Sequence, residues 1–111
     1  MGTMMNVDAT RAQEMVREGA LLLDVREDDE WDAGHAEDAL HVALSSVPDA
    51  LDDLPRDRLI VCVCRSGGRS ARAGNFLVEH GFDVVNLEGG MTAWRDSGYA
   101  LVSDDGEPTI I

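Results

Sequence analysis

The feature that most constrains the fold is the alternation of short apolar runs with segments of helical period along the 111 residues. The clearest run, residues 59–64, is followed at once by Arg-Ser-Gly-Gly-Arg and then by a segment with helical spacing of its apolar residues. Such alternation is typical of α/β domains with a mainly parallel sheet. A chain of this length has enough apolar surface for one core, so we expect one domain.

The pattern predicts four strands and five helices. The strands are predicted over 20–25, 41–44, 59–64 and 84–87. The helices are predicted over 8–18, 27–33, 45–54, 70–80 and 91–97. Asp8 or Thr10 is the expected N-cap of the first helix, and Gly89 and Gly90 predict a tight turn before the last. The chain from Ser103 onward is polar and is expected to be poorly packed surface.

The composition excludes several chemistries. Acidic residues outnumber basic ones by 22 to 9, the net charge is −13, and every basic residue other than histidine is an arginine. Without lysine, the chain has no side-chain amine for a Schiff base or for a P-loop phosphate site. The acidic charge disfavours nucleic-acid binding. No apolar run approaches the roughly 20 residues of a membrane span, and residues 1–8 do not resemble a secretory signal, so we expect a cytoplasmic protein with no membrane partner.

Cys64 stands where the central apolar run ends and a helix begins. In a parallel sheet its thiol would lie at the carboxyl edge, facing the positive end of the helix dipole. Gly67 and Gly68 allow the loop to curl so that successive N–H groups converge on an anion. Arg65 and Arg69 add positive charge, and Arg69 is the favoured anion contact. We expect these features to lower the pKa of Cys64 and to maintain a nucleophilic thiolate at neutral pH.

The second cysteine has a different expected role. Cys62 lies two residues earlier on the same face of the strand and is interpreted as core rather than as a resolving thiol. The spacings of the two cysteines and three histidines match no zinc pattern, so neither a metal nor another cofactor is expected.

Two charged residues end the strand predicted over 20–25, at the same sheet edge as Cys64. A buried carboxylate at Asp24 needs a partner, so Asp24 and Arg26 are expected to brace the loops beneath the site. Glu27 and Glu30 are interpreted as residues that favour the start of the next helix.

Four motifs carry a resemblance to a known family. They are Leu21-Leu-Leu-Asp-Val-Arg-Glu27, Gly34-His35, Val61-Cys-Val-Cys-Arg-Ser-Gly-Gly-Arg-Ser70 and Leu87-Glu-Gly-Gly-Met-Thr-Ala-Trp94. In this order they resemble a single-domain rhodanese over residues 7–102, which leaves 103–111 as a short C-terminal tail. The resemblance implies one α/β domain with a central five-stranded, mainly parallel sheet and helices on both faces. It also implies a sulfurtransferase whose Cys64 carries a persulfide.

The resemblance further implies which residues bind substrate. A small anionic sulfur donor such as thiosulfate would bind at Arg65, Ser66, Gly67, Gly68, Arg69 and Ser70, and cyanide, a thiol or a protein thiol would accept the sulfur. Related phosphatases of the cell-cycle type resemble this pattern but place the arginine six residues after the cysteine, where this chain has Ser70. The shorter loop favours a sulfane sulfur over phosphate.

Two other functions stay open at this point. One is a non-catalytic rhodanese-like module that binds partners or senses redox state. The other is an oxidoreductase that uses Cys62 and Cys64 as a pair, although a disulfide between residues two apart in a strand would be strained.

Overall fold

The protein is a single parallel sheet covered by helices, as seen in a computed structural model that describes residues 4–104 and 106–111. The strands are β1 (Met5–Val7), β2 (Leu21–Asp24), β3 (Leu40–His41), β4 (Ile60–Val63) and β5 (Val84–Leu87). They lie in the order β1-β5-β4-β2-β3, and each neighbouring pair is parallel. The predicted five-stranded α/β architecture is confirmed.

Helices cover both faces of this sheet, as predicted. They are α1 (Ala9–Arg17), α2 (Asp28–Ala33), α3 (Gly68–Glu79), α4 (Gly90–Asp96) and a 3₁₀ helix over Leu44–Asp53. Residues of α1 and α4 share one buried cluster with Val61 and Val63, while α3 and the 3₁₀ helix share the other with Ile60 and Cys62. β4 alternates between these two clusters and is completely buried, which explains why its sequence is apolar on both faces.

The predicted helix boundaries hold to within two residues for the four α-helices. Asp8 is the N-cap of α1, with its Oδ1 accepting the N–H of Arg11 at 2.8 Å. The segment predicted as a helix over 45–54 is instead a 3₁₀ helix, and Pro48 lies inside it. Because proline has no N–H and clashes with the preceding turn, it disfavours a regular α-helix there.

The sequence pattern missed β1 and misjudged the end of the chain. β1 is an edge strand defined by its register with β5, for example Met5 with Val85, and Met5 itself is exposed. The chain from Ser103 onward was expected to be poorly packed, and this is wrong for its last residues. Residue 105 lies outside the described part of the chain. The Thr109 N–H donates to the carbonyl of Ala33 at 2.9 Å, and Ile110 is buried in the α1–α4 cluster.

Candidate active site

The predicted nucleophile lies at the junction of β4 and α3. Cys64 follows the last residue of β4 and is only 1% exposed. The N-cap of α3 is Gly67, at φ +116°, and its N–H donates to the Cys64 sulfur at 3.0 Å. A residue with a Cβ would be strained at that φ, so the glycine is what allows the loop to curl its N–H towards the sulfur. The expected strand, loop and helix arrangement is therefore present.

The start of α4 holds this loop from the other side. The N–H groups of Met91 and Thr92 donate to the carbonyls of Cys64 and Arg65 at 2.8 and 3.1 Å. A Cβ at Gly90, which has φ +58°, would collide with these same carbonyl oxygens. Because the N–H of a trans peptide points away from its carbonyl, this anchoring turns the loop N–H groups away from α4. The predicted glycine turn thus fixes the orientation of the loop peptides.

Opposing effects set the pKa of the Cys64 thiol. Burial raises this pKa. Hydrogen bonds from the Ser70 hydroxyl and from the backbone N–H groups of Ser70, Gly67 and Ser66 lower it. The net effect is a pKa below the ordinary value of a cysteine thiol. These donors stabilise the thiolate more than the thiol. Cys62 has no such donors: burial, aided by repulsion from Cys64, raises its pKa to about 12. Of the two thiols, Cys64 is therefore the one whose surroundings favour the thiolate.

A buried polar network supports the loop from beneath, and its key member, Asn86, was missed by the sequence analysis. The Ser70 hydroxyl lies 3.4 Å from the Cys64 sulfur and 2.6 Å from Asn86 Oδ1. Asn86 Nδ2 in turn donates to the carbonyl of Gly67 at 3.2 Å and to Asn6 Oδ1 at 3.0 Å. The Ser70 hydroxyl also lies 3.2 Å from the Gly67 carbonyl oxygen, so its single proton is shared among three acceptors. A polar residue inside the apolar run of β5 is the signal that could have identified Asn86.

Arg69 is held in a bidentate ion pair. Its two terminal nitrogens donate to Glu30 Oε1 at 2.6 Å and to Oε2 at 2.8 Å. The hydrogen bonds from Arg69 lower the pKa of Glu30 to about 2, although partial burial opposes them. Glu30 also forms a capping box with Glu27 at the start of α2. The sequence pattern predicted only that these two glutamates favour the start of this helix, and it missed the link to the loop.

Arg65 contacts the last residue of the chain and not α2. It is exposed, and its Nε donates to the carbonyl of Ile111 at 2.9 Å. Because Ile110 beside it is buried in the core, this contact connects the loop to a firmly packed segment. The two loop arginines thus tie the loop to different parts of the fold.

Asp24 and Arg26 form a buried ion pair below the site. Both side chains are completely buried, and Arg26 Nη2 lies 2.8 Å from Asp24 Oδ2. The remaining Arg26 donors bond to the carbonyls of Glu30 and Gly34 at 3.2 and 2.7 Å. The guanidinium therefore connects the end of β2 to the first turn and the C-cap of α2, the helix that carries the partner of Arg69.

Within the described residues, no group of three or more histidine, cysteine, aspartate or glutamate side chains is arranged to hold a metal ion. Both cysteines are free thiols. No helix in the part of the chain that the structure describes is long and apolar enough to span a membrane.

The fold and this loop define a class of protein: a parallel α/β domain with a thiol at the carboxyl edge of its central strand, inside a ring of N–H donors. Residues 8–97 match the Rhodanese-like domain family, and the chain belongs to it.

Relatives in this family are named for sulfur transfer. The chain is 38% identical over 90 residues to a sulfurtransferase of Allochromatium vinosum, covering 80% of this chain and 84% of the relative. It is 35% identical over 86 residues to the thiosulfate sulfurtransferase GlpE of Pseudomonas syringae, covering 77% and 81%. A rhodanese-related protein of Thermoplasma volcanium superposes with a TM-score of 0.83 at 31% identity, covering 88% of this chain and 97% of that one.

Proposed function

We propose that this protein is a sulfurtransferase that moves a sulfane sulfur from an anionic donor such as thiosulfate to a thiol or to cyanide. The observation that carries the proposal is the Cys64 sulfur at the start of α3, bonded by the Gly67 N–H at 3.0 Å and approached by the Ser70 hydroxyl at 3.4 Å. The thiosulfate sulfurtransferase names of relatives support the choice of donor.

In the first step, the Cys64 thiolate attacks the outer sulfur of thiosulfate. A new S–S bond forms to Cys64, the S–S bond of the donor breaks, and sulfite leaves with the bonding electron pair. The loop N–H groups of Ser66, Gly67 and Ser70, which stabilise the thiolate, stabilise the persulfide anion that replaces it. The scheme uses no general base, because the hydrogen bonds that lower the pKa of Cys64 favour its ionised form.

In the second step, an acceptor thiolate or cyanide attacks the terminal sulfur of the persulfide. The S–S bond to Cys64 breaks, Cys64 leaves as a thiolate, and the product is an acceptor persulfide or thiocyanate. Arg65, Gly68 and Arg69 shape the loop in this scheme, and Asp24 and Arg26 hold the elements beneath it. The scheme needs free thiols, which fits a reducing compartment such as the cytoplasm.

Mass spectrometry of the protein after treatment with thiosulfate tests the proposal. We expect the mass to rise by one sulfur atom, located on Cys64, and steady-state kinetics of the ping-pong type. Cys64→Ser should take up no sulfur and should lose thiosulfate:cyanide activity at least a thousandfold, because serine is not ionised at neutral pH.

Cys62→Ala is the matched control, since it removes the other thiol, which lies two residues earlier and belongs to the same buried cluster. It should retain most of the activity. Sulfur uptake that survives in Cys64→Ser and disappears in Cys62→Ala would contradict the assignment. A mass loss of two hydrogens in the wild type would instead support a redox pair, which the high pKa of Cys62 disfavours.

A further inference from the structure

A groove of about 420 Å³ lies between the 3₁₀ helix and α3. Its apolar lining comes from Leu44, Val47, Pro48, Ala73 and Phe76. Arg69, which closes the active-site loop, also lines it, so the groove begins where the loop ends. We call it the α3 groove.

The charged groups that line the α3 groove differ in whether they have partners. Arg69 is neutralised by its bidentate pair with Glu30. Glu27 belongs to the capping box of α2, whose partial positive charge compensates its carboxylate. Arg72 is exposed, and its side chain makes no hydrogen bond or ion pair to another described residue. In a chain of net charge −13, an arginine without a counter-ion beside an apolar wall is suited to an anion that carries its own apolar part.

We propose that the α3 groove is the acceptor subsite and that the acceptor is a small organic thiol with a carboxylate at its far end. The carboxylate contacts Arg72, and the aliphatic chain packs on Ala73 and Phe76. This inference rests on the proposed sulfurtransferase function.

Helix geometry sets the length of this acceptor. Arg72 lies four residues beyond Gly68, the first residue of α3, which is about 6 Å along the helix axis. A mercaptoacid with several methylene groups between its sulfur and its carboxylate spans this distance.

The transfer itself is balanced without another reactant. The acceptor thiolate forms a bond to the terminal sulfur of the Cys64 persulfide, and the existing S–S bond breaks towards Cys64. The acceptor leaves as a persulfide, and Cys64 regains its thiolate. The α3 groove changes only which acceptors reach this step in the correct orientation.

Two thiols that differ only at the far end test the subsite: mercaptohexanoate and mercaptohexanol. With thiosulfate as donor, we expect the wild type to use the carboxylate with about fivefold higher kcat/KM, as one exposed ion pair would provide. Arg72→Gln should bring this ratio close to one. Arg17→Gln is the matched control, because Arg17 is an exposed helical arginine outside the α3 groove, and it should retain the wild-type ratio.

Phe76→Ala tests the apolar wall separately. It should reduce the preference for mercaptohexanoate over the shorter mercaptopropionate, since both carry a carboxylate and differ only in chain length. A wild type that uses mercaptohexanoate and mercaptohexanol equally, or a preference that survives Arg72→Gln, would overturn the subsite. That failure is distinct from failure of the proposed function, in which Cys64 gains no sulfur from thiosulfate at all.

Discussion

The ion pair between Glu30 and Arg69 gives a prediction whose size follows from the structure. Glu30→Gln keeps the shape of the side chain, and glutamine can still complete the capping box of α2. The substitution removes only the negative charge opposite Arg69. The hydrogen bonds from Arg69 lower the pKa of Glu30 from 4.5 to about 2. A shift of this size corresponds to a ceiling of about 3 kcal/mol of native-state stability.

Solvent screening reduces that figure. The Arg69 side chain is 35% exposed, whereas that of Glu30 is 13% exposed, so one partner remains in partial contact with water. We therefore expect Glu30→Gln to lower the free energy of unfolding by about 1 to 2 kcal/mol at neutral pH. For a domain of this size the melting temperature should fall by roughly 5 °C per kcal/mol.

The pH dependence provides the sharper assay. A carboxylate whose pKa is lower in the folded state stabilises the fold above its unfolded value of about 4.5, and this contribution is lost as the pH falls towards 2. Urea unfolding curves of wild type and Glu30→Gln should therefore differ at pH 7 and converge near pH 2. Glu37→Gln, at an exposed glutamate in a turn, is the control for the loss of one charge. A difference at pH 7 no larger than that of the control, or one that persists undiminished at pH 2, would refute the reasoning.

Two further predictions concern the loop. Ser70→Ala should raise the pKa of the Cys64 thiol, because the substitution removes the hydroxyl donor to the thiolate. The pH dependence of iodoacetamide alkylation measures this pKa, and an unchanged profile would contradict the prediction. Gly90→Ala should destabilise the protein by more than about 1 kcal/mol in thermal melts and reduce sulfur transfer, because its Cβ would displace the loop carbonyls. The control is Gly98→Ala, which has a similar positive φ but open space around it; equal effects of the two would show that only backbone strain matters.

The elements that the sequence predicts well are those whose signals are local. The apolar run into β4, the two glycines after Cys64 and the helical spacing that follows lie within one stretch of chain, and they place the thiol correctly. β1 could not be predicted in this way, because it has only three residues and its first one, Met5, is exposed. These residues form a strand only through their pairing with β5. The burial of Ile110 likewise depends on contacts with residues that are distant in sequence, and the polar residues before it do not indicate these contacts.

The site shows the same division. The loop residues are adjacent in sequence, so their convergence on the sulfur could be expected. Glu30 and Asn86 reach the loop from α2 and β5, and their pairing with Arg69 and Ser70 depends on the sheet order. Glu30 was hidden by its local role as a capping residue, since both roles use the same carboxylate.

The partners of the loop arginines change the explanation of how the site handles an anion. The sequence favours direct electrostatic stabilisation by Arg69, yet Arg69 is paired with Glu30 and Arg65 is bonded to Ile111. The donors that lower the pKa of Cys64 are the hydroxyl of Ser70 and backbone N–H groups, all of which are uncharged. Arg69 still attracts the thiolate through its charge, but it does so from within its ion pair with Glu30. The stabilisation of the thiolate therefore rests on the neutral hydrogen-bond donors around the sulfur, and the charge of Arg69 adds to it without a direct ion pair.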